Sequence, residues 1–158
     1  MTKKEKTDSA IKIISQNKKA RFDYFIIEAF EAGIVLTGAE IKSIRSNGIT
    51  LNESYIRPEG NEIFLLNAHI KPYAFSGQQD FDPIRKRKLL LHAREIDKLR
   101  GRVEQKGLTI VALSLYLKKG RAKLEIGLAR GKDAPDKRRS MKERESKREV
   151  ERALKRGK

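Results

Sequence analysis

"LTIVALSLYLKKGRAKLEIGLARG", Leu108–Gly131, is the stretch on which the fold turns. Val111, Leu113, Leu115 and Leu117 occupy alternate positions of one run, and Ala122, Leu124, Ile126 and Leu128 alternate in the next. Lys118–Arg121, with Gly120 inside it, separates them. A period of two on both sides of a short glycine-bearing link predicts a β-hairpin with one buried face.

The same signature continues upstream. "DYFIIEAFEAGIVLTG" (Asp23–Gly38) is rich in aromatic and β-branched residues, which predicts a strand, with a bulge or bend expected at Gly33. In "AEIKSIRSNG" the period changes: Ile41 and Ile44 suit one helix face, and Asn47-Gly48 suits its stop. "ITLNESYIRPEGNEIFLLNAHI" reads as two strands turning at Pro58–Asn61. In the second, Phe64, Leu66, Ala68 and Ile70 share one face, and Ile63, Leu65, Asn67 and His69 the other. "LLLHAREIDKLRGRVEQKG" (Leu89–Gly107) reads as a helix on Ile96, Leu99 and Val103, weakened by Gly101 and ended by Gly107. The expected fold is mainly β with flanking short helices: an OB-like small antiparallel β-barrel followed by a basic C-terminal tail.

The charge is large and uneven. The 158 residues carry 37 Lys and Arg against 21 acids, a formal net of +16. Residues 1–22 hold a net +5 and residues 131–158 a net +6, so less than a third of the chain holds most of the excess. This predicts a basic flexible N-terminal segment at 1–16, an OB-like RNA-binding barrel at 17–130 and a basic tail at 131–158. Such an excess favours a polyanion, nucleic acid before an anionic membrane. No apolar run suits a signal peptide or a membrane span, and there is no cysteine for a disulfide or thiolate metal site, so a cytoplasmic protein without membrane contact is expected, monomeric by default.

Catalytic constellations are not apparent. Gly131-Lys132 is followed by Asp133, which is no phosphate-cradling loop, and His69 and His92 are too few for a metal centre. Asp80, Asp82 and Glu95 could form a carboxylate site, but Arg85–Lys88 beside Asp82 suggests charge balance instead. No cofactor and no enzymatic activity are expected. The basic groups "NKKAR" (with Lys18, Lys19 and Arg21) and "RKRK" (with Lys88) border the barrel and suit phosphate contacts. With few aromatics among them, the shape of a folded RNA is a better target than single-strand stacking. Glu31 in "FEAG" suits either a salt bridge or an acceptor for base and 2′-OH donors, and His92 either a helix end or an RNA contact.

The tail contains "DKRRSMKERESKRE" (Asp136–Glu149), nearly all charged. Ser140 with Glu143 suggests a capping box, and Glu143–Lys147 and Glu151–Lys155 are favourable i,i+4 pairs worth only ~0.2–0.5 kcal/mol each. Without an apolar stripe such a helix is marginal in water, and its ordering is expected against RNA.

These segments, together with "NKKARFDYFIIEAFEAGIVLTGAEIKSIR", "LNAHIKPY", "DPIRKRKLLLHAREIDKL" and "GRAKLEIGLARGKD", resemble the small protein B family, the SsrA-binding proteins of bacterial trans-translation. The resemblance runs from about Asn17 to Glu149. It implies an OB-like barrel that binds the tRNA-like domain of transfer-messenger RNA. It also implies delivery, with elongation factor Tu and GTP, to stalled ribosomes. The tail, disordered when free and helical on the ribosome, would occupy the small-subunit decoding region and mRNA channel. By position, Glu31, Leu90 and His92 would contact the RNA. Gly131, Lys132, Asp136, Lys137 and Arg138 would form the ribosome-acting motif, with Lys142, Arg144, Lys147 and Arg148 further along the same arm. The chain departs from the usual pattern at Phe22, His92 and Glu145-Ser146. The alternatives are a structural ribosomal protein, a general RNA-binding protein and an RNA-processing enzyme.

Overall fold

A computed structural model describes residues 11–73 and 81–156. In chain order it places β1 (Ile11–Gln16), α1 (Lys18–Asp23), β2 (Tyr24–Ile34), α2 (Gly38–Arg45), β3 (Ile49–Thr50) and β4 (Tyr55–Glu59). There follow β5 (Glu62–Leu66), β6 (His69–Ile70), β7 (Arg87–Leu90), α3 (Ala93–Lys106), β8 (Thr109–Lys118), β9 (Arg121–Gly131) and α4 (Ala134–Arg156). The main sheet is antiparallel and seven-stranded, in the order β1-β8-β4-β5-β7-β2-β9. Because β8 also pairs with β9, six of the strands close as a barrel, and β1 adds to it through β8 alone among the described residues. A two-stranded ribbon, β3 with β6, lies beside it.

The hairpin forms where the alternation predicts it. Lys119 and Gly120 both take positive φ, 53° and 77°, the two-residue turn whose twist matches paired strands. The alternation in β8 is interrupted, however, by a register shift between Ala112 and Ser114. Val111 and Leu113 therefore pack with Ala20 and Ala129 in a small second cluster, whereas Leu115 and Leu117 join the barrel core. A bulge adds one residue and so reverses which face the following side chains occupy. In β9 nothing interrupts the period, and Leu124, Ile126 and Leu128 all enter the core.

Several other segments differ from the sequence reading. Residues 11–16, assigned there to a flexible segment, form β1 and pair with the second half of β8. "NKKAR", placed at the barrel's border by the sequence, starts the helix α1. The Asn17 side chain accepts from Ala20 N at 3.1 Å and donates to Leu51 O and Ala112 O, which pins α1 to the barrel. Gly33 is no bulge: the β2 shift lies between Ile26 and Glu28, and Gly33 pairs in register with both Leu90 and Lys123. The run Glu62–Ile70 is not one strand. Asn67 at φ 60° breaks it, so Ile63 and Leu65 are buried before the break and Ala68 and Ile70 after it. Leu89 and Leu90 belong to β7 and not to the helix, which begins at Ala93; Ile96, Leu99 and Val103 still face the core. Finally, the tail helix starts six residues before Ser140. Asp133 caps it, its Oδ1 accepting from Asp136 N at 3.2 Å, and Ser140 instead receives the Lys132 ammonium at 2.7 Å.

One fully buried side chain of the barrel is charged. Arg87, fully buried in β7, donates through Nε to Glu40 Oε2 at 2.6 Å, and its other nitrogens reach Ala68 O at 2.9 Å and Pro83 O at 3.2 Å. Glu40 is itself the third residue of a capping box with Thr37 at the start of α2, and accepts from Arg85 at 2.6 Å. Burial alone would raise the Glu40 carboxyl, but donation by Arg85, by the Thr37 N–H and by Arg87 outweighs it and lowers it below the usual range. Its contribution is thus present above the unfolded carboxyl value and lost as pH falls through the lower folded one.

Two outcomes follow. Glu40→Gln leaves the Arg87 guanidinium buried beside a neutral group and is expected to cost about 3–5 kcal/mol in denaturant unfolding. The joint change Glu40→Met, Arg87→Met is expected to cost less, because no fully buried charge is stranded: Arg85, which also bonds Glu40, is 38% exposed. In the tail, Asp133→Ala is expected to lower the helical circular dichroism signal at neutral pH. Capping holds the Asp133 carboxyl below its usual value, so in the unsubstituted chain the same loss sets in as pH falls through that value. The variant lacks this acid step.

Candidate nucleic-acid interface

Glu31 stands on the outer face of β2, where strand pairing decides its neighbours. It pairs with Glu125 of β9, and two residues on Gly33 pairs with Lys123 on one side and Leu90 of β7 on the other. Lys123 in turn pairs with Tyr116 of β8. Leu90, Gly33, Lys123 and Tyr116 therefore form a row across four strands, with Glu31 beside it. A groove of about 370 Å³ lies over this row, lined by Glu31, Gly33, Leu90, His92, Glu95 and Lys123 among others. Glu31 and Lys123 also border a second hollow, completed by Lys118, Lys119 and Arg121 of the hairpin. One carboxylate thus sits among four cations.

The groove depends on a glycine. A Cβ at position 33 would lie 3.2 Å from Leu90 Cβ, so Gly33 is what lets Leu90 close over β2 while remaining 52% exposed. His92 lies just before α3, exposed, with its backbone N–H donating to Glu95 at 3.1 Å. Glu31 accepts from the Tyr116 hydroxyl, and Lys118 Nζ lies 3.6 Å from the same oxygen. Donation by Tyr116 lowers the Glu31 carboxyl against the opposing effect of burial, with Lys118 and Lys123 adding to it. It is an ionised acceptor at neutral pH.

The basic clusters divide unevenly. Of "RKRK", Arg85 and Arg87 bind Glu40 inside the protein, and Lys86 bonds Glu59 and covers the Phe64 ring at 4.1 Å. Lys88 is exposed on β7 with Glu62 at 3.6 Å. On α1, Arg21 reaches Glu125 at 2.9 Å, which brings it to the edge of the Glu31 site; Lys19 instead faces Glu53 at 3.2 Å, and Lys18 is exposed. Such exposed pairs are weak and can exchange for phosphates at little cost.

Among the described residues, the tail's contacts with the rest of the fold lie in its first half. Lys132 N donates to Asp23 O at 2.8 Å, Lys137 Nζ lies 3.5 Å from Asp23, and Arg144 stacks over Phe22 at 5.7 Å. Gly131 is the last residue of β9 and Asp136 sits in the first helical turn. Arg138, Lys142, Lys147 and Arg148 are exposed. The arrangement therefore separates two basic surfaces, the outer barrel face at Glu31 and the far part of α4.

Asp82 and Glu95 serve local turns: Asp82 accepts from Ile84 N at 3.0 Å and Glu95 from His92 N. Asp80 lies outside the described residues. Among the described residues no group of three or more His, Asp or Glu is placed to hold a metal, and no helix is long and apolar enough to cross a membrane. The sequence reading missed Lys123, Tyr116 and Lys118. Their outward phase was visible in the hairpin alternation, but their adjacency to Glu31 is a matter of register between strands about a hundred residues apart.

Comparison with known proteins points to one family. A family model described as SmpB protein matches residues 14–156. The SsrA-binding protein of Geobacillus thermodenitrificans is 54% identical over 143 residues, covering 90% of this chain and 92% of its own. That of Acaryochloris marina is 54% identical over 147 residues, covering 92% and 96%, and that of Oleidesulfovibrio alaskensis 51% over 154, covering 98% of each. A solved structure described as "tmRNA-SmpB: a journey to the center of the bacterial ribosome" superposes with a TM-score of 0.63 at 49% identity, over 75% of this chain and 84% of that one. A match running from the first strand of the barrel to the end of the tail helix makes this chain a member of the SmpB protein family.

Proposed function

We propose that this protein binds the tRNA-like domain of transfer-messenger RNA through the barrel and delivers it to stalled ribosomes. In this reading the tail occupies the empty decoding site and the mRNA channel, and elongation factor Tu with GTP completes the delivered complex. The observation that carries it is the division of labour in the molecule. The outer face of a closed barrel presents the ionised Glu31 beside a cluster of cations, and a separate helix of 23 residues carries dense charge while the contacts described for it lie in its first half. An acid inside a basic surface repels phosphate in general, so it suits a site that reads particular donors of a folded RNA. A charged helix without an apolar stripe suits a channel walled by phosphate. Nothing is turned over: the protein acts by binding, without a cofactor, in the cytoplasm where ribosomes work. Arg21 and Lys88 supply phosphate contacts beside Glu31, Leu90 and His92, and Lys18 and Lys19 supply further ones from α1. The residues from Gly131 to Arg148 supply the ribosomal ones.

The test is a titration of the full chain against transfer-messenger RNA and an ordinary tRNA at two salt concentrations. A companion chain ending after Lys132 keeps β9 intact. Transfer-messenger RNA is expected to win clearly at the higher salt with both proteins, while only the full chain rescues stalled ribosomes in a translation assay. The log–log salt slope, about −0.9 per neutralised phosphate on a duplex, separates charge from shape. Equal binding of both RNAs that vanishes with salt would favour a structural ribosomal or general RNA-binding protein.

A further inference from the structure

We infer that Tyr116 is a positioning residue for Glu31: it clamps carboxylate oxygen Oε2 and leaves Oε1 as the acceptor for a single hydrogen-bond donor of the bound RNA. The inference rests on the proposal that folded RNA is read at this groove. Both contacts to the Glu31 carboxylate converge on one atom, the Tyr116 hydroxyl and Lys118 Nζ each approaching Oε2. Among the described residues no donor is placed on Oε1. Tyr116 is only 9% exposed, so its ring is held by the barrel and its hydroxyl has little freedom to leave. A glutamate on an outer strand face otherwise samples many rotamers, and ordering it on binding costs affinity. Here that ordering is done beforehand by a side chain that the RNA need not touch.

The groups facing Glu31 fit this assignment. From β8 come Tyr116 and Lys118, and from β9 Lys123 and Arg121, with Glu125 paired directly opposite. From the start of α3 come His92 and Glu95. Burial and the neighbouring carboxylates Glu31 and Glu125 raise the Tyr116 phenol, so it remains a donor throughout the physiological range. The same bond lowers the Glu31 carboxyl, so the acceptor stays charged under mild acid. An N–H of a base and a ribose 2′-OH offer the same donor chemistry to Oε1.

The experiment combines a double-mutant cycle with a titration of the free protein. Affinity for the tRNA-like domain is measured for the full chain, Tyr116→Phe, Glu31→Gln and the two together, from pH 7 down to about pH 5. Glu31→Gln serves as the baseline against which the contribution of Glu31 to the pH profile is read. Tyr116→Phe is expected to weaken binding about tenfold on its own, the scale of a hydrogen bond to a charged group. In the Glu31→Gln background it should change affinity by less than about twofold, because a residue acting through Glu31 has nothing left to act on. Carbon-13 NMR of the Glu31 carboxyl, recorded without RNA, should show its midpoint rising in Tyr116→Phe, and binding should weaken at correspondingly higher pH. The salt slope should not change, since no phosphate contact is lost. Lys118→Met, which removes the second group from Oε2, should move the midpoint in the same direction. Single 2′-deoxy substitutions in the RNA separate the donors: one that abolishes the Glu31→Gln penalty identifies a ribose hydroxyl, and a penalty surviving all of them identifies a base.

An equal loss from Tyr116→Phe in both backgrounds, or an unmoved Glu31 midpoint, overturns the assignment. If the unsubstituted chain shows no preference for this RNA, the parent proposal fails. The midpoint, read without RNA, tells that failure apart from failure of the clamp.

Discussion

The barrel is organised around a buried charge. Arg87 joins β7 to Glu40 on α2, to the carbonyl that follows β5 and to the Pro83 loop. Taking a guanidinium and a carboxylate out of water costs several kcal/mol per ion, and only near-complete hydrogen bonding offsets it. A leucine at position 87 could slide in an apolar core; a guanidinium with three fixed partners cannot. β7 lies between β5 and β2, so fixing Arg87 also fixes Leu89 in the core and Leu90 over Gly33. The groove at Glu31 is in this sense built from behind. A charge that is poor evidence of net stability thus ties β7 to three other parts of the fold.

The same cluster shows why counting basic residues is an incomplete guide to a nucleic-acid surface. Two of the four charges in "RKRK" point inward to Glu40, and a third lies against Glu59 and Phe64. Pairing in the interior removes charge from the surface potential, while exposed pairs such as Arg21–Glu125 and Lys88–Glu62 leave cations available to a stronger anion. The effective basic surface is therefore smaller and better localised than the composition suggests.

The parts of the fold that were legible in the sequence are those governed by local rules. The hairpin declared itself through alternation and Gly120, α3 through Ile96, Leu99, Val103 and its Gly107 stop, and the closed β architecture through strand number. What escaped were single-residue events that reverse a pattern without altering composition. Asn67 in the left-handed region and the register shift at Ala112–Ser114 each exchange inside for outside downstream. The tail cap escaped for a different reason: Ser140-x-x-Glu143 and Asp133-x-x-Asp136 are both plausible starts, and the second prevails because β9 ends just before it. At the site, Glu31 stood out by its sign and Leu90 and His92 by resemblance. Lys123 and Tyr116 needed the register of β2, β9 and β8, which no local pattern contains.

That register sets the surroundings of Glu31. Lysines and arginines around a folded RNA add affinity that falls with salt and carries little information about sequence or shape. A carboxylate in their midst lowers affinity for any backbone presented at random. It gains only when a donor stands where phosphate does not, so discrimination grows from the penalty as much as from the bond. For the penalty to operate the acid must be ionised and still, since a neutral or mobile side chain would yield to any phosphate. Tyr116 and Lys118 meet both requirements at one oxygen, and burial keeps Tyr116 where it is. On the proposed reading the barrel combines an unselective attraction with one fixed objection, and the RNA that satisfies the objection would be the one retained when salt has weakened the rest.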